Sequence, residues 1–306
     1  MRPATAFVTF LALLALLMPL TSVYGQEAVE EGSEDGWDLA SDLNLTLTQN
    51  AYSDNWAGSE TGAISWALNA NLLAEKQLTP GMNSRTALKL SFGQTHSQDL
   101  ETRKWARPTK STDLIDLESV LRFTYGWPVD PYVSGRIETQ FLDESDPEKK
   151  RALNPVTFTE SAGVSRVLIE TEDTDWMTRL GGAIRQRMDR DALPEGASER
   201  ETVTENDAGL EFVSEFRTPL ADGAITLTSD LTVFKALYYS ESDKLEGQPG
   251  EDDWKSPDVN WENTFAANVT EHIVVNLYVQ LLYDKEVDQD PRFKETLSLG
   301  LTFRLL

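Results

Sequence analysis

Two histidines and no cysteine in 306 residues leave little from which to build a catalytic centre. His96 stands beside Ser97 and five places after Ser91, and a serine hydroxyl activated by an imidazole is the nucleophile of acyl-bond hydrolysis. The sequence contains neither a G-x-S-x-G elbow nor an H-x-x-x-H zinc pair, and without cysteine both thiol catalysis and disulfides are excluded. No residue is therefore read as catalytic or metal-binding, and no cofactor is expected. A lipid hydrolase using His96 stands only as an alternative.

Electrostatics is the chemistry that the residues do offer. Asp116, Glu118 and Arg122, then Arg136 and Glu138, then Arg179, Arg185 and Arg187, then Glu211, Glu215 and Arg217 recur at every second position within their segments. At a period of two they share one face of a strand. Leu117 and Leu121, Val133 and Ile137, Leu180 and Ile184, and Leu210 and Phe212 occupy the opposite faces. One side of each ribbon is thus ionic and the other is greasy. Placing an arginine in the middle of a bilayer costs about 2–4 kcal/mol, so in a membrane these charges must line an enclosed lumen. There they either brace and fill a narrow interior or set the field of a selective pore.

Alternation of this kind recurs in about twelve segments. They begin with Trp37 to Thr48, Ala63 to Leu73, Arg85 to Gln94, Ile115 to Tyr125 and Tyr132 to Phe141. Val156 to Ile169, Trp176 to Met188, Val203 to Arg217, Ala224 to Tyr239, Val259 to Val269, Ile273 to Tyr283 and Arg292 to Leu306 follow. Most have the roughly 9–11 residues that a tilted membrane strand requires. Weak alternation in the sixth suggests a bulge near Gly163 or a misplaced boundary. Short connections rich in Pro, Gly, Asp and Asn alternate with long acidic ones, the pattern of short periplasmic turns and longer outside loops. The expected fold is all-β, an antiparallel up-and-down transmembrane barrel. Aromatic residues near segment ends, among them Trp37, Tyr125, Trp127, Tyr132, Trp176, Tyr239, Trp254, Trp261 and Tyr283, are expected to form interfacial girdles.

Residues 1–25 read as a cleaved signal peptide: Arg2, an apolar core from Phe7 to Leu20, then small residues before Gly25. An acidic periplasmic segment, 26–36, leads into a barrel over 37–306. Removing Arg2 leaves 26 bases against 51 acids, a net charge of −25, which disfavours nucleic acid as a partner. The outer-membrane lipid and its lipopolysaccharide are the expected surroundings. Residues Phe293, Leu297, Leu299, Leu301, Phe303 and Leu305 form a terminal apolar stripe suited to the barrel-assembly machinery. A monomer and a small hydrophilic solute complete the expected partners, with the bacterial outer membrane as location.

Particular motifs add a resemblance. Asn55-Trp56-Ala57-Gly58, then Arg103-Lys104, then Lys110-Ser111-Thr112-Asp113 opening a strand, then Thr139-Gln140-Phe141 resemble a bacterial family of predicted outer-membrane barrels common in the Bacteroidota. The motif order covers about Trp37 to Phe141, and the family carries no assigned activity. What the resemblance implies is the barrel. The functional expectation is a passive or substrate-selective channel with a charged lumen, against the alternatives of a plugged surface barrel or a soluble β-sandwich.

Overall fold

The computed structural model describes residues 36–50, 61–146, 148–193, 199–270 and 272–304. The signal segment, the acidic segment up to Asp35, and Asn55, Trp56 and Gly58 of the tryptophan motif lie outside the described residues. Fourteen strands follow in order. They are β1 (Asp38–Asn50), β2 (Ala63–Thr79), β3 (Met82–Ser97), β4 (Thr109–Arg122), β5 (Asp130–Thr139), β6 (Leu142–Asp143) and β7 (Arg151–Ala152). After them come β8 (Val156–Glu170), β9 (Asp175–Ala192), β10 (Glu201–Leu220), β11 (Ile225–Tyr239), β12 (Pro257–Asn268), β13 (Ile273–Tyr283) and β14 (Arg292–Arg304). All but β6 and β7 form one closed antiparallel barrel, in which each strand pairs with its neighbours in sequence and β14 returns to β1. The expected fold class and the count of twelve are what the structure has.

Alternation explains why these residues form these strands. β13, I-V-V-N-L-Y-V-Q-L-L-Y, is rich in β-branched and aromatic residues, and Val275, Leu277 and Val279 face away from Asn276, Tyr278 and Gln280. Its bounds coincide with the segment read from the sequence. Tight reversals close the chain at one end of the barrel: Pro80-Gly81 joins β2 to β3, and Ala221, Asp222 and Gly223, all at positive φ, join β10 to β11. The remaining links at that end span 123–129, 171–174 and 269–272. Links at the other end are longer: 51–62, 98–108, 140–155, 193–200, 240–256 and 284–291.

Two details differ from expectation. β4 ends at Arg122, so Phe123 and Tyr125 belong to the turn, where their rings stack with centroids 6.3 Å apart. The irregularity in β8 falls between Val167 and Ile169, not at Gly163. At Gly163 the register with Gly181 is regular but crowded, since an added Cβ would sit 2.2 Å from the Leu180 carbonyl oxygen. The weak alternation there reflects a close approach of backbones.

Outside the ring the apolar faces are bare. Leu297 is 70% exposed, Leu237 65% and Leu47 63%, and similar residues circle the barrel. Inside, the packing is polar and hydrophobic by turns, with Val120, Tyr132, Met177, Val213 and Phe234 buried alongside Asp116, Ser161, Ser165 and Arg179. β6 and β7 make a small hairpin within the long link between β5 and β8, where Asp143 pairs with Arg151.

Candidate functional site, a divided lumen

Paired residues across antiparallel strands share a face, so the register fixes what points inward. Lys89 is opposite Asp116 and Asn71, Glu118 is opposite Arg136, and Glu215 is two places from Val213, which faces Arg179. Six of the ladder residues expected from sequence line one internal cavity of about 100 Å³: Asp116, Glu118, Arg136, Arg179, Glu211 and Glu215. Arg85, Lys89, Asp230 and Glu262 join them. That lining holds four cations and six anions, a net of −2.

These charges are knitted together. Arg136 grips Asp116 with two parallel hydrogen bonds, Nε to Oδ1 at 2.8 Å and Nη2 to Oδ2 at 2.9 Å, and contacts Glu138 at 3.2 Å. Arg179, only 2% exposed at its side chain, reaches Glu118 at 2.8 Å and Glu215 at 3.3 Å. The second oxygen of Glu215 accepts from Arg85 at 2.6 Å. Lys89 meets Asp230 at 2.9 Å. The cavity is polar and has room for water, and Arg179 Nε and Nη1, buried without a protein partner, are donors that water would satisfy.

The last pair crosses the barrel, because β3 and β11 stand six places apart in a ring of twelve. Strands spaced about 4.8 Å give a round ring at least ~18 Å across. Touching lysine and aspartate side chains bring their strands within roughly 13 Å at standard bond lengths. The section is therefore oval at this level, and the Lys89–Asp230 chord divides the lumen.

The two sides differ. On the side of β4, β5, β8, β9 and β10 the inward residues Val120, Tyr132, Ser161, Ser165, Met177, Arg179 and Val213 are all buried. Tyr132 lies over two glycines of the neighbouring strands, its hydroxyl 2.7 Å from where a Cβ on Gly181 would be. It thus fills the lumen and is not the girdle residue expected of it. On the other side Ala40, Asp42 and Thr48 of β1, Asn71 of β2, and Lys294 and Thr296 of β14 also face inward, yet are exposed. Asn71 lies midway along β2 and Thr296 in the outer half of β14. Solvent therefore contacts this wall on either side of a narrow point where Val274 is buried opposite Gly300 and the Asn44 amide would touch any Cβ on Gly300 at 2.7 Å.

The rest of the ladder lies nearer the ends. Arg122 reaches Glu75 at 3.9 Å and Asn83 at 3.4 Å. Arg185 bonds Asp207 at 2.6 Å and Asp258 at 2.8 Å, its guanidinium 3.8 Å from the centroid of Phe234. Arg187 and Arg217 are exposed and make no ion pair among the described residues. Trp254, expected in a girdle, packs instead on the inward cluster of Ala183, Phe234 and Ala236.

Motif residues from the first half organise the long link after β5. Asp113 accepts backbone hydrogen bonds from Phe141 at 2.7 Å and Leu142 at 3.0 Å, while Lys110 donates to Gln140 at 2.6 Å and to the Leu142 carbonyl at 2.5 Å. Thr139 donates to the Pro155 carbonyl and Gln140 to that of Asn154. Arg151 then ties Asp143 at 2.5 Å to Asp189 at 2.7 Å, strapping the β6–β7 hairpin to the end of β9. Arg103 donates its backbone N–H to Asp99 within the preceding loop, next to Lys104. His96 packs against Trp105 with the rings tilted at 54° and centroids 5.0 Å apart, on the face opposite Ser91, which donates to Asn69.

Residues 47–144 match the model of a protein family described as protein of unknown function (DUF3078). The match covers most of the stretch that holds the motifs. No curated protein matches the chain. Among solved structures, an outer membrane channel from Pseudomonas putida F1 is similar at 14% identity and a TM-score of 0.38, over 90% of this chain and 99% of that one. The translocator domain of the autotransporter NalP from Neisseria meningitidis is similar at 8% identity and 0.37, over 90% of both chains. The β domain of the Bordetella autotransporter BrkA is similar at 11% and 0.34, over 88% and 99%.

Arg85, Lys89, Asp230 and Glu262 are the cavity charges that the ladder read from the sequence does not include. Arg85 lay at the expected start of its segment, whereas β3 begins at Met82. Asp230 and Glu262 alternate with Leu231 and Trp261, so the same period-two rule would have placed them inside.

Proposed function

We propose that this protein is a channel of the bacterial outer membrane that passes small hydrophilic solutes through the hydrated half of an oval lumen. Hydrocarbon is the surrounding that the bare leucine and phenylalanine faces call for, since in water they would form one large apolar belt. Barrels are one of only two backbone architectures that satisfy every peptide group within a bilayer. The exposed inward residues Asn71, midway along β2, and Thr296, in the outer half of β14, are the observation that carries the conduit reading. A wall of amides and hydroxyls exchanges readily with hydrated solutes, while the ion-pair lattice opposite keeps the passage narrow.

Discrete conductance steps from purified protein in planar bilayers are the expected result, with Asn71→Trp lowering the unit step several-fold. Refolded protein that shifts on heating in gels yet leaves the bilayer silent overturns the reading. That outcome would favour a sealed surface barrel, for which the Lys89–Asp230 crossing speaks.

A further inference from the structure

The seam that closes the ring is its shortest. β1 and β14 are each thirteen residues long but, among the described residues, pair over only five positions, from Asp42↔Arg304 to Thr46↔Gly300. β1 pairs with β2 over thirteen positions and β13 with β14 over ten. Continued outward, the register would set Leu47 against Leu299, Thr48 against Ser298, Gln49 against Leu297 and Asn50 against Thr296. All eight residues are described, and none of these pairs forms. The outer half of the seam is a slit edged by unpaired peptide groups, and in hydrocarbon such groups demand polar partners.

The two sides of the slit have opposite character. Leu47, Leu297 and Leu299 face outward, each more than 60% exposed, with Gln49 and Glu295 on the same face nearer the outer end. Inward on the same edge of β14 stand Thr296, Lys294 and Arg292, all exposed, and the two cations make no ion pair among the described residues. They form a basic lip in a chain with 51 acids and 27 bases. Lipid-side leucines next to lumen-side cations fit a molecule with a tail and a negative head.

We propose that this slit is a lateral portal for an anionic single-chain amphiphile, a fatty-acyl carboxylate in chemical class. Its tail would lie among Leu47, Leu297 and Leu299, and its head against Arg292 and Lys294, from where it reaches the hydrated wall at Thr296. A partner strand paired to β14 would satisfy the peptide groups but leave the cations without a counter-charge. The portal's geometry stands on the seam alone, and the onward path into the lumen rests on the conduit reading above.

With no native cysteine, paired cysteines report cleanly. Leu45→Cys with Leu301→Cys, a pair in register, should oxidise in the reconstituted protein, whereas Leu47→Cys with Leu299→Cys, two residues outward on both strands, should stay reduced until bridged by a bis-maleimide. Equal oxidation of the two overturns the slit. In planar bilayers laurate should block the ionic current, the half-blocking concentration should rise at least tenfold in the Arg292→Gln, Lys294→Gln double variant, and the maleimide-bridged protein should conduct without being blocked. A bridged protein blocked like the wild type overturns lateral access while leaving the conduit standing. If the bilayers are silent but laurate still shields the cysteine at 299 from maleimide, the portal holds and the conduit fails. No shielding and no block sink the portal.

Discussion

Lys89 on β3 and Asp230 on β11 touch at 2.9 Å although 141 residues and half the circumference of the barrel separate them. Both side chains keep some contact with water, so the pair contributes only about 1 kcal/mol to stability. Its consequence is shape. Lys89→Gln should fold normally and let the section round out, raising unit conductance, and exchanging the two charges (Lys89→Asp with Asp230→Lys) should restore the wild-type step. An unchanged step in Lys89→Gln would mean that the backbone alone holds the oval.

Arg179 behaves differently because it is buried. It neutralises Glu118 and half of Glu215, whose other oxygen belongs to Arg85. Truncation to methionine leaves enclosed carboxylates uncompensated, at a cost of about 3–5 kcal/mol. The urea midpoint of the heat-modifiable form should fall markedly in Arg179→Met and recover in large part when Glu118→Met is added. A midpoint equal to the wild type would show that water in the cavity already screens the cluster.

Much of this architecture was legible because a barrel with one apolar and one polar face to each strand writes its fold at period two. Leu277 outward and Tyr278 inward follow from alternation alone, and links that run from two residues at one end to seventeen at the other tell the two ends apart. Alternation assigns a face but not a height or a partner across the ring. Arg136–Asp116 joins neighbouring strands and could be anticipated, whereas Arg85–Glu215 and Lys89–Asp230 depend on the cross-section. Tyr132 has the side chain of a girdle residue, yet its even spacing from Arg136 and Glu138 already puts it on the inward face. The short β1–β14 seam leaves only a faint mark: alternation ends at Thr48 in β1, where Gln49 follows on the apolar face, and is broken by Glu295 in β14.

The Tyr132 site gives a packing test. A methyl at Gly181 would lie 2.4 Å from the Ala162 carbonyl oxygen and 2.7 Å from the Tyr132 hydroxyl, so Gly181→Ala forces either the backbone or the ring to move. Overpacking of this kind costs about 1–3 kcal/mol, and Tyr132→Ala, which empties the site, about 3–5 kcal/mol. In the double variant the added methyl no longer meets the hydroxyl, so the two losses should sum to less than their separate values. Strict additivity in urea unfolding would place the whole clash on the backbone.

At the mouth, Glu286 is poised near neutrality. The residue is exposed overall, but its carboxyl end is crowded. Loss of water around it, then Asp284, Asp258 and Asp207, push it up to about 7, against a smaller opposing pull from Arg185. A raised carboxyl favours the protonated form, so whatever stability it contributes is fully present below its ordinary value of 4.5 and is lost as pH rises through about 7. Function should follow the same titration with the opposite sign of charge: above pH 7 the mouth gains a negative charge and cation preference should rise between pH 6 and 8. Glu286→Gln should flatten that rise at its acid-side level, and 1 M salt, with a Debye length near 3 Å, should weaken it in the wild type. Reversal potentials across a salt gradient measure both, and a step that persists in Glu286→Gln would assign the titration to another group at the rim.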